Sequence, residues 1–583
     1  MPGTLNEETP VPGLRIPGWY LLIACLTALL FTCTPKPKAD LILVNGRIFQ
    51  ADSKGTFVEA LAVKDGSILA AGRSQKLLQR YRGKATRILD LHNRLVVPGF
   101  HDAHLHMWNG ARLFRELNLI GLRSKEAVLK RVAQAVKKAP PGSWVVGRGW
   151  DHELWPDRKL PDKRDLDRIS REHYIYLKRV DGHAAWVNSA VLKLLRYNAG
   201  TEDPPGGKIM RYPHSREPNG LLFETAFRLL DRLIPEPTPT QKRAFLRQAI
   251  QKANRLGITA VCDFSPDEIY PVYKKLYQQG ELTLRIHFGF PYRDELDTLQ
   301  HFIAREGEIP RFLDARMIKM YADGSLGSRT AYLLAPYLDD PENRGLPRVP
   351  FQQLLEMVQR TDQAGFQIAI HAIGDGAVRM VLDAFDSVAT REGMRDRRWR
   401  IEHSQVLDSA DFSRYRTLGV VASMQPSHCI TDMHWAPKRI GRRVRWAYAW
   451  RRFLNEEVLL AFGTDWPVEP LNPMVGLYAA VTRKDTTGYP PEGWTPEERL
   501  TLAEAIRAYT AGSAQAAGWE SWNGTLNPGK VADFVVLDRN VFEVPPEQIL
   551  RTRVLATFLA GRPVYLHPDV EEAYGSLFQQ PDG

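Results

Sequence analysis

Cysteine is scarce in this chain: Cys25, Cys33, Cys262 and Cys429 are the four among 583 residues, and they show no paired spacing. That excludes a disulfide framework and a zinc ribbon. Long apolar runs are missing too. Trp19 to Thr32 comes nearest, at 14 residues, short of the roughly 20 that cross a bilayer as a helix but suited to the apolar core of an export signal. No nucleic-acid recognition motif accompanies the net charge of +11, so no nucleic-acid partner is expected. The basic residues are spread out, except from Arg439 to Arg452, where arginines alternate with Trp446, Tyr448 and Trp450. A solvated basic face is the plain reading of that stretch.

What is present is a chain long enough for one large domain and a smaller one. From Asp40 the pattern is β-like: Leu41–Phe49, Val58–Val63, Ile68–Ala70 and Arg87–Leu91 are short apolar runs broken by Asn-Gly, Asp-Gly and Ala-Gly turns. A similar block returns at Ala532–Asp538 and Val554–Tyr565. Residues 39–97 and 523–567 are therefore expected to build one composite β-sandwich, two separate β decorations being the alternative.

Between them, strand-like runs alternate with amphipathic stretches of helical period: Leu95–Phe100, Ile258–Phe264, Leu284–Phe290, Arg316–Ala322, Gln367–Ile373, Trp399–Ser404, Val420–Gln425 and Val458–Thr464. Eight β-α units predict an α/β fold, a (β/α)8 TIM-like barrel over 98–522, with functional residues at the C-terminal strand ends. The first connection is far too long for one helix. Residues 107–255 read as an insertion that would lie over the barrel mouth as a lid or substrate subdomain.

The chemistry begins at Val97-Pro98-Gly99-Phe100-His101-Asp102-Ala103-His104-Leu105-His106. Alternate residues of a strand share a face, so His104 and His106 would present two imidazoles side by side. Alone, such a pair is more often two ordinary histidines. The other strand ends change that: Lys319 on the fourth, His371 on the fifth, His403 on the sixth and Asp465 on the eighth fall at the same relative position. His101 is out of step with the alternation and is not counted as a ligand; His434 reads as a surface residue.

The motifs Pro-Gly-Phe-His-Asp-Ala-His-Leu-His (98–106), Asp-Gly-His-Ala-Ala-Trp-Val-Asn-Ser-Ala (181–190), Lys-Met-Tyr-Ala-Asp-Gly-Ser-Leu-Gly-Ser-Arg-Thr-Ala (319–331), His-Ala-Ile-Gly-Asp (371–375), Arg-Ile-Glu-His (400–403), Gly-Thr-Asp-Trp-Pro (463–467) and Pro-Gly-Lys-Val-Ala-Asp-Phe-Val-Val-Leu-Asp (528–538) jointly resemble the amidohydrolase superfamily. The branch they resemble is amidohydrolase family 3, with its YtcJ-like proteins and N-substituted formamide deformylases. The resemblance implies His104, His106, His371 and His403 as metal ligands, Asp465 as a metal-contacting carboxylate, and Lys319 as a lysine carboxylated by CO2 that bridges two metals. An ordinary lysine paired with Asp323 is the alternative, and would leave a one-metal site.

The implied cofactor is one or two divalent ions, with zinc suited to the imidazole-rich set. The implied reaction is hydrolysis of a non-peptide carbon–nitrogen bond (N-acyl, N-formyl or cyclic amide) in a small-molecule substrate, with Asp465 as general base and then general acid. An esterase or lactonase, or a catalytically silent scaffold, are the alternatives. His183, Tyr321, Asp323 and Arg329 are expected to face the substrate; Glu224, Trp150, Asp151, Gln425 and His428 are further candidates. Trp150, Trp155, Trp186, Trp435 and Trp466 could form an aromatic wall, although packing is the commoner use of such residues. By analogy with relatives a homodimer is expected. Leu30-Phe31-Thr32-Cys33 resembles a bacterial lipoprotein cleavage box. Residues 1–38 are therefore read as an export segment attached to the membrane through Cys33 or through an uncleaved anchor.

Overall fold

The computed structural model describes residues 37–179 and 184–578. At its centre is a sheet of eight neighbouring strands in chain order: β1 (Phe100–Leu105), β2 (Ile258–Asp263), β3 (Arg285–Pro291), β4 (Leu313–Tyr321), β5 (Gln367–Ala372), β6 (Arg400–His403), β7 (Val421–Met424) and β8 (Leu460–Phe462). Each is parallel to the next. Beyond β8 the chain returns to the end of β1, where Asp465 N–H donates to the His104 carbonyl at 2.7 Å and His106 N–H to that of Trp466 at 2.8 Å. These bonds complete an α/β barrel at its C-terminal end.

The strands are near-continuous buried apolar runs because helices cover their outer face. Before β2, the helix Pro239–Arg255 starts at a Thr238/Gln241 capping box with proline in its first turn. It buries Leu246, Ala249, Ile250 and Ala253, the one-sided spacing of a helix on a sheet. The strand predicted at Leu95–Phe100 is divided in the structure. Leu95–Pro98 pairs antiparallel with Phe534–Val536, and only from Phe100 does the chain run in the barrel. The physical reason is the Pro98-Gly99 break: Gly99 lies so close to Thr259 that a Cβ would fall 2.1 Å from its hydroxyl.

Both ends of the chain meet in one six-stranded sheet, in which 562–566, 554–559 and 534–537 continue into 95–98, 47–49 and 57–58. A four-stranded sheet of 67–72, 60–64, 41–44 and 87–90 shares an apolar cluster with it, including Leu43, Ile48, Leu61, Phe534 and Phe558. Asp533, at the head of the returning block, takes a two-pronged ion pair from buried Arg285 of β3 (2.6 and 2.9 Å) and so ties this sheet to the barrel.

The long connection after β1 builds a six-stranded sheet of its own, from Leu117–Asn118 to Pro218–Glu224. Its core explains three of the tryptophans. Trp150, Trp155 and Trp186 pack on one another with ring centres 6.1–6.4 Å apart, so they are packing residues of the insertion and not a substrate wall. Among the described residues no helix is long and apolar enough to cross a membrane. Cys33 and the rest of the export reading lie outside the described residues.

One buried carboxylate clasps the barrel seam. Asp102 accepts hydrogen bonds from Thr464 N–H (2.9 Å), Thr464 hydroxyl (2.5 Å) and His104 N–H (3.1 Å). Asp102→Ala leaves these buried donors unpaired, which costs about 1–3 kcal/mol. A melting temperature lowered by several degrees is expected in scanning calorimetry; an unchanged one would show that the clasp is unimportant.

Candidate metal centre

The ends of β1, β4, β5, β6 and β8 converge on a cavity of about 500 Å³. His106, Lys319, His371, His403 and Asp465 line it, and His104 lies beneath, wholly buried. Two groups of three donors have ligand atoms within 4.8 Å of one another: His104, His106 and Asp465, and His403, His428 and Asp465. Asp465 belongs to both. One of its oxygens lies 3.3 Å from His106 Nε2 and 3.6 Å from His104 Nε2; the other accepts from His428 Nε2 at 3.0 Å. The rings of His371 and His403 follow, with centres 4.4 Å apart.

The backbone is bent to aim these groups. Gly463 passes so near β1 that a Cβ would lie 2.4 Å from His104 N. Asp465 then adopts φ +57° and His403 φ +75°, left-handed conformations that are costly for residues with a side chain and that cluster at functional sites. At His403 the reason is direct. Strand alternation would send it to the face opposite Glu402, and the left-handed turn lets it face the mouth.

Three of the imidazoles are held by their far nitrogen. His104 Nδ1 meets Glu402 Oε2 at 2.6 Å, His106 Nδ1 the Phe264 carbonyl at 3.1 Å, and His371 Nε2 the Gly324 carbonyl at 2.9 Å. A proton placed on those nitrogens leaves a lone pair on the other, the state a metal requires. His403 Nδ1 and one oxygen of Asp465 are buried without a hydrogen-bond partner. Unpaired buried acceptors are expensive, so this donor set fits a cation.

Electrostatics point the same way. Burial, and next the Lys319 ammonium, pull His104 down to about 4; burial pulls His371 to about 3 and His403 well below its ordinary value. All three are neutral at pH 7. Burial opposes ionisation of Asp465, but the histidines beside it, His106 and His428 foremost, outweigh it and hold the carboxyl well below the usual range. His428 is the converse: burial would lower it, yet Asp465 and Glu469 push it up to about 10. Burial draws the Lys319 ammonium down to about 8. Lys319 makes no ion pair among the described residues; its Nζ sits 3.4 Å from His104 Nε2 and 4.3 Å from the centre of the Phe264 ring.

The remaining candidates divide. Tyr321 lines the cavity beside His371. Asp323 does not pair with Lys319. Its carboxylate is taken up by the N–H groups of Tyr332, Ile373 and Gly374 and lies 3.5 Å from His371 Nε2, which makes it a brace for that ligand strand. Arg329 grips Asp339 with two hydrogen bonds (2.8 and 3.2 Å) and is not on the cavity wall. His183 lies outside the described residues. Trp150 donates to the Leu177 carbonyl and Asp151 pairs with Arg179 inside the insertion; Gln425 bonds the Ser423 carbonyl. Neither they nor Glu224 line the cavity, and no described residue of 107–255 does.

His434 is half exposed and stacks on Tyr489. Trp435 is on the wall, beside Leu326, Ile373 and Val468. Glu402, Arg400 and Glu469 had no part in the sequence-based site. Arg400 and Glu402 stood inside the Arg-Ile-Glu-His motif, two apart on a strand, and that spacing was the available signal.

Comparison with known proteins agrees with this geometry. The model of the amidohydrolase family matches residues 87–565. Protein LONG AFTER FAR-RED 3 of Arabidopsis thaliana is 36% identical over 543 residues, covering 90% of this chain and 92% of its own. N-substituted formamide deformylase of Arthrobacter pascens is 25% identical over 550 residues, covering 90% and 97%. Among solved structures, an uncharacterized metal-dependent hydrolase from Pyrococcus furiosus superposes with a TM-score of 0.70 at 28% identity, over 87% of this chain and 99% of that one.

Proposed function

The chain belongs to the amidohydrolase family, a metal-dependent hydrolase of the α/β barrel class, and from that premise we propose that it cleaves a non-peptide carbon–nitrogen bond in a neutral N-substituted amide. The observation that carries this reading is the placement of Asp465 at the cavity, one oxygen beside His104 and His106 and the other accepting from His428. Amide hydrolysis needs a group that takes a proton from water and returns one to the departing nitrogen. A carboxylate backed by an imidazolium can do both within one site.

His104, His106, His371, His403 and Asp465 would hold the divalent metal, with Lys319 added if carboxylated. Zinc suits the imidazole-rich set. When bound, the metal would supply Lewis acidity, polarising the carbonyl and lowering the pKa of water toward neutrality. Asp465 accepts the proton of the attacking water through the oxygen that lies beside His104 and His106. His428 keeps the other oxygen occupied, so that the carboxylate stays oriented, and Glu469 braces His428 from behind at 3.4 Å. Asp465 then gives the proton to the leaving nitrogen. Neutrality of that nitrogen's substituent is read from the wall: Trp435, Leu326, Ile373 and Val468 offer apolar contact, Lys319, His428 and Asp465 belong to the site itself, and the other carboxylates there are taken up by His428 (Glu469) and the Tyr448 hydroxyl (Asp432). A relative named for N-substituted formamides supports the same class.

The test is a screen of the zinc-loaded protein against N-substituted formamides, N-acyl amino acids, hydantoins, lactones and aryl esters. Turnover is expected first among uncharged formamides and amides with apolar substituents. Turnover confined to lactones or esters would replace this reading with the ester one. Trp435→Ala should raise KM for an aromatic-substituted amide about 10-fold or more, the size of a lost aromatic contact, and leave kcat within a few-fold. An unchanged KM would remove Trp435 from the substrate wall.

A further inference from the structure

The barrel interior beneath the metal centre contains a buried ion pair for which the proposed chemistry has no use. Arg400 and Glu402, two apart on β6, are both fully buried. Arg400 Nε donates to Glu402 Oε1 at 2.7 Å, and the other Glu402 oxygen meets His104 Nδ1 at 2.6 Å. The rest of the guanidinium is spent on three strands: Nη2 on the Ala103 carbonyl of β1 (2.5 Å) and the Ser423 hydroxyl of β7 (2.9 Å), Nη1 on the Cys262 sulfur of β2 (3.3 Å). A fork fixed at that many points has one orientation.

We propose that Arg400 is a positioning residue for the metal centre: it fixes the Glu402 carboxylate, which holds the proton of His104 on Nδ1 and turns Nε2, lone pair outward, toward Asp465. This inference rests on reading the barrel mouth as a metal site. Simple packing does not need the arrangement, since a buried ion pair contributes little net stability against apolar residues of the same volume. What it supplies is geometry. Without the arginine, nothing fixes Glu402 Oε1, the carboxylate can rotate, and His104 Nδ1 loses the acceptor that sets its tautomer.

The experiment measures zinc affinity by chelator competition in the full chain, for the parent, Arg400→Met, Arg400→Lys and Glu402→Gln. It also reads the His104 tautomer in the zinc-free protein by nitrogen-15 histidine spectra. Affinity is expected to fall about 10- to 100-fold in Arg400→Met and Glu402→Gln, the usual effect of losing such a partner. Arg400→Lys, which keeps the charge but not the fork, should recover part of it. The parent should show His104 protonated on Nδ1, and Arg400→Met a mixture. Affinity within twofold of the parent in a folded Arg400→Met would overturn the proposal. Should that variant not fold, the nearly isosteric Glu402→Gln decides in the same way. A parent without zinc affinity would remove the metal reading instead; the zinc-free tautomer then still decides whether Arg400 and Glu402 orient His104.

Discussion

Asp465→Asn is expected to lower kcat by about 10²- to 10⁴-fold, the contribution of a positioned general acid–base group, while the folded protein still retains metal. The amide keeps one oxygen for a cation and nearly the same shape, but it cannot accept a proton. It also cannot sustain the charge pairing that pushes His428 up to about 10. With the carboxylate gone, His428 keeps Glu469 as its acidic partner (3.4 Å), so its raised value should fall without returning to that of a free imidazole. The checks are steady-state kinetics on whichever amide the screen identifies, metal content of the purified variant, and titration of His428. Near-normal turnover with metal retained would remove Asp465 from the role assigned to it. Loss of metal together with turnover would make it a ligand first.

Lys319→Met is the second large effect. A carbamate forms when a neutral amine adds to CO2 and releases a proton, so the state of the amine decides the matter. Burial draws Lys319 down to about 8, against about 10.4 for a free lysine. Roughly one amine in ten is then neutral at pH 7, compared with fewer than one in a thousand for a free lysine, and most are neutral at pH 9. Loading of a second metal should therefore depend on bicarbonate and rise between pH 7 and 9. Lys319→Met should bind one metal per chain at every pH and lose about 10²-fold or more in kcat, as expected when a Lewis acid worth several kcal/mol is withdrawn. One metal per parent chain at both pH values, with and without bicarbonate, would count against the carbamate and leave a one-metal enzyme.

Much of the architecture was legible because it rests on local rules. Buried apolar runs of strand length alternate with amphipathic helices, a rhythm that specifies a parallel sheet covered by helices, and the count of eight units points to a barrel. Boundaries were legible within a few residues except at Leu95–Phe100, where one apolar run serves two sheets. The Pro98-Gly99 break is itself legible as the join between sandwich and barrel, but how each half pairs depends on Thr259 and on strands more than 400 residues away.

For the site, the sequence by itself determined which residue types stand at the strand ends: His104, His106, Lys319, His371, His403 and Asp465 are all there to be read. Tertiary structure alone decided how they are used. Alternation places a side chain on one face of a strand, but His403 and Asp465 reach the mouth through left-handed backbone that alternation does not foresee. Asp323 and Arg329 follow the lysine strand in the sequence, yet backbone N–H groups claim one and Asp339 the other. Arg400 and Glu402 stand inside a quoted motif and His428 outside any, yet in none of the three does the sequence show the role. They act through partners on other strands, His104 and Asp465, and the barrel brings these together only by closing. A chain records which donors it has; pairing across a closed sheet decides which nitrogen keeps its proton and which is left for a metal.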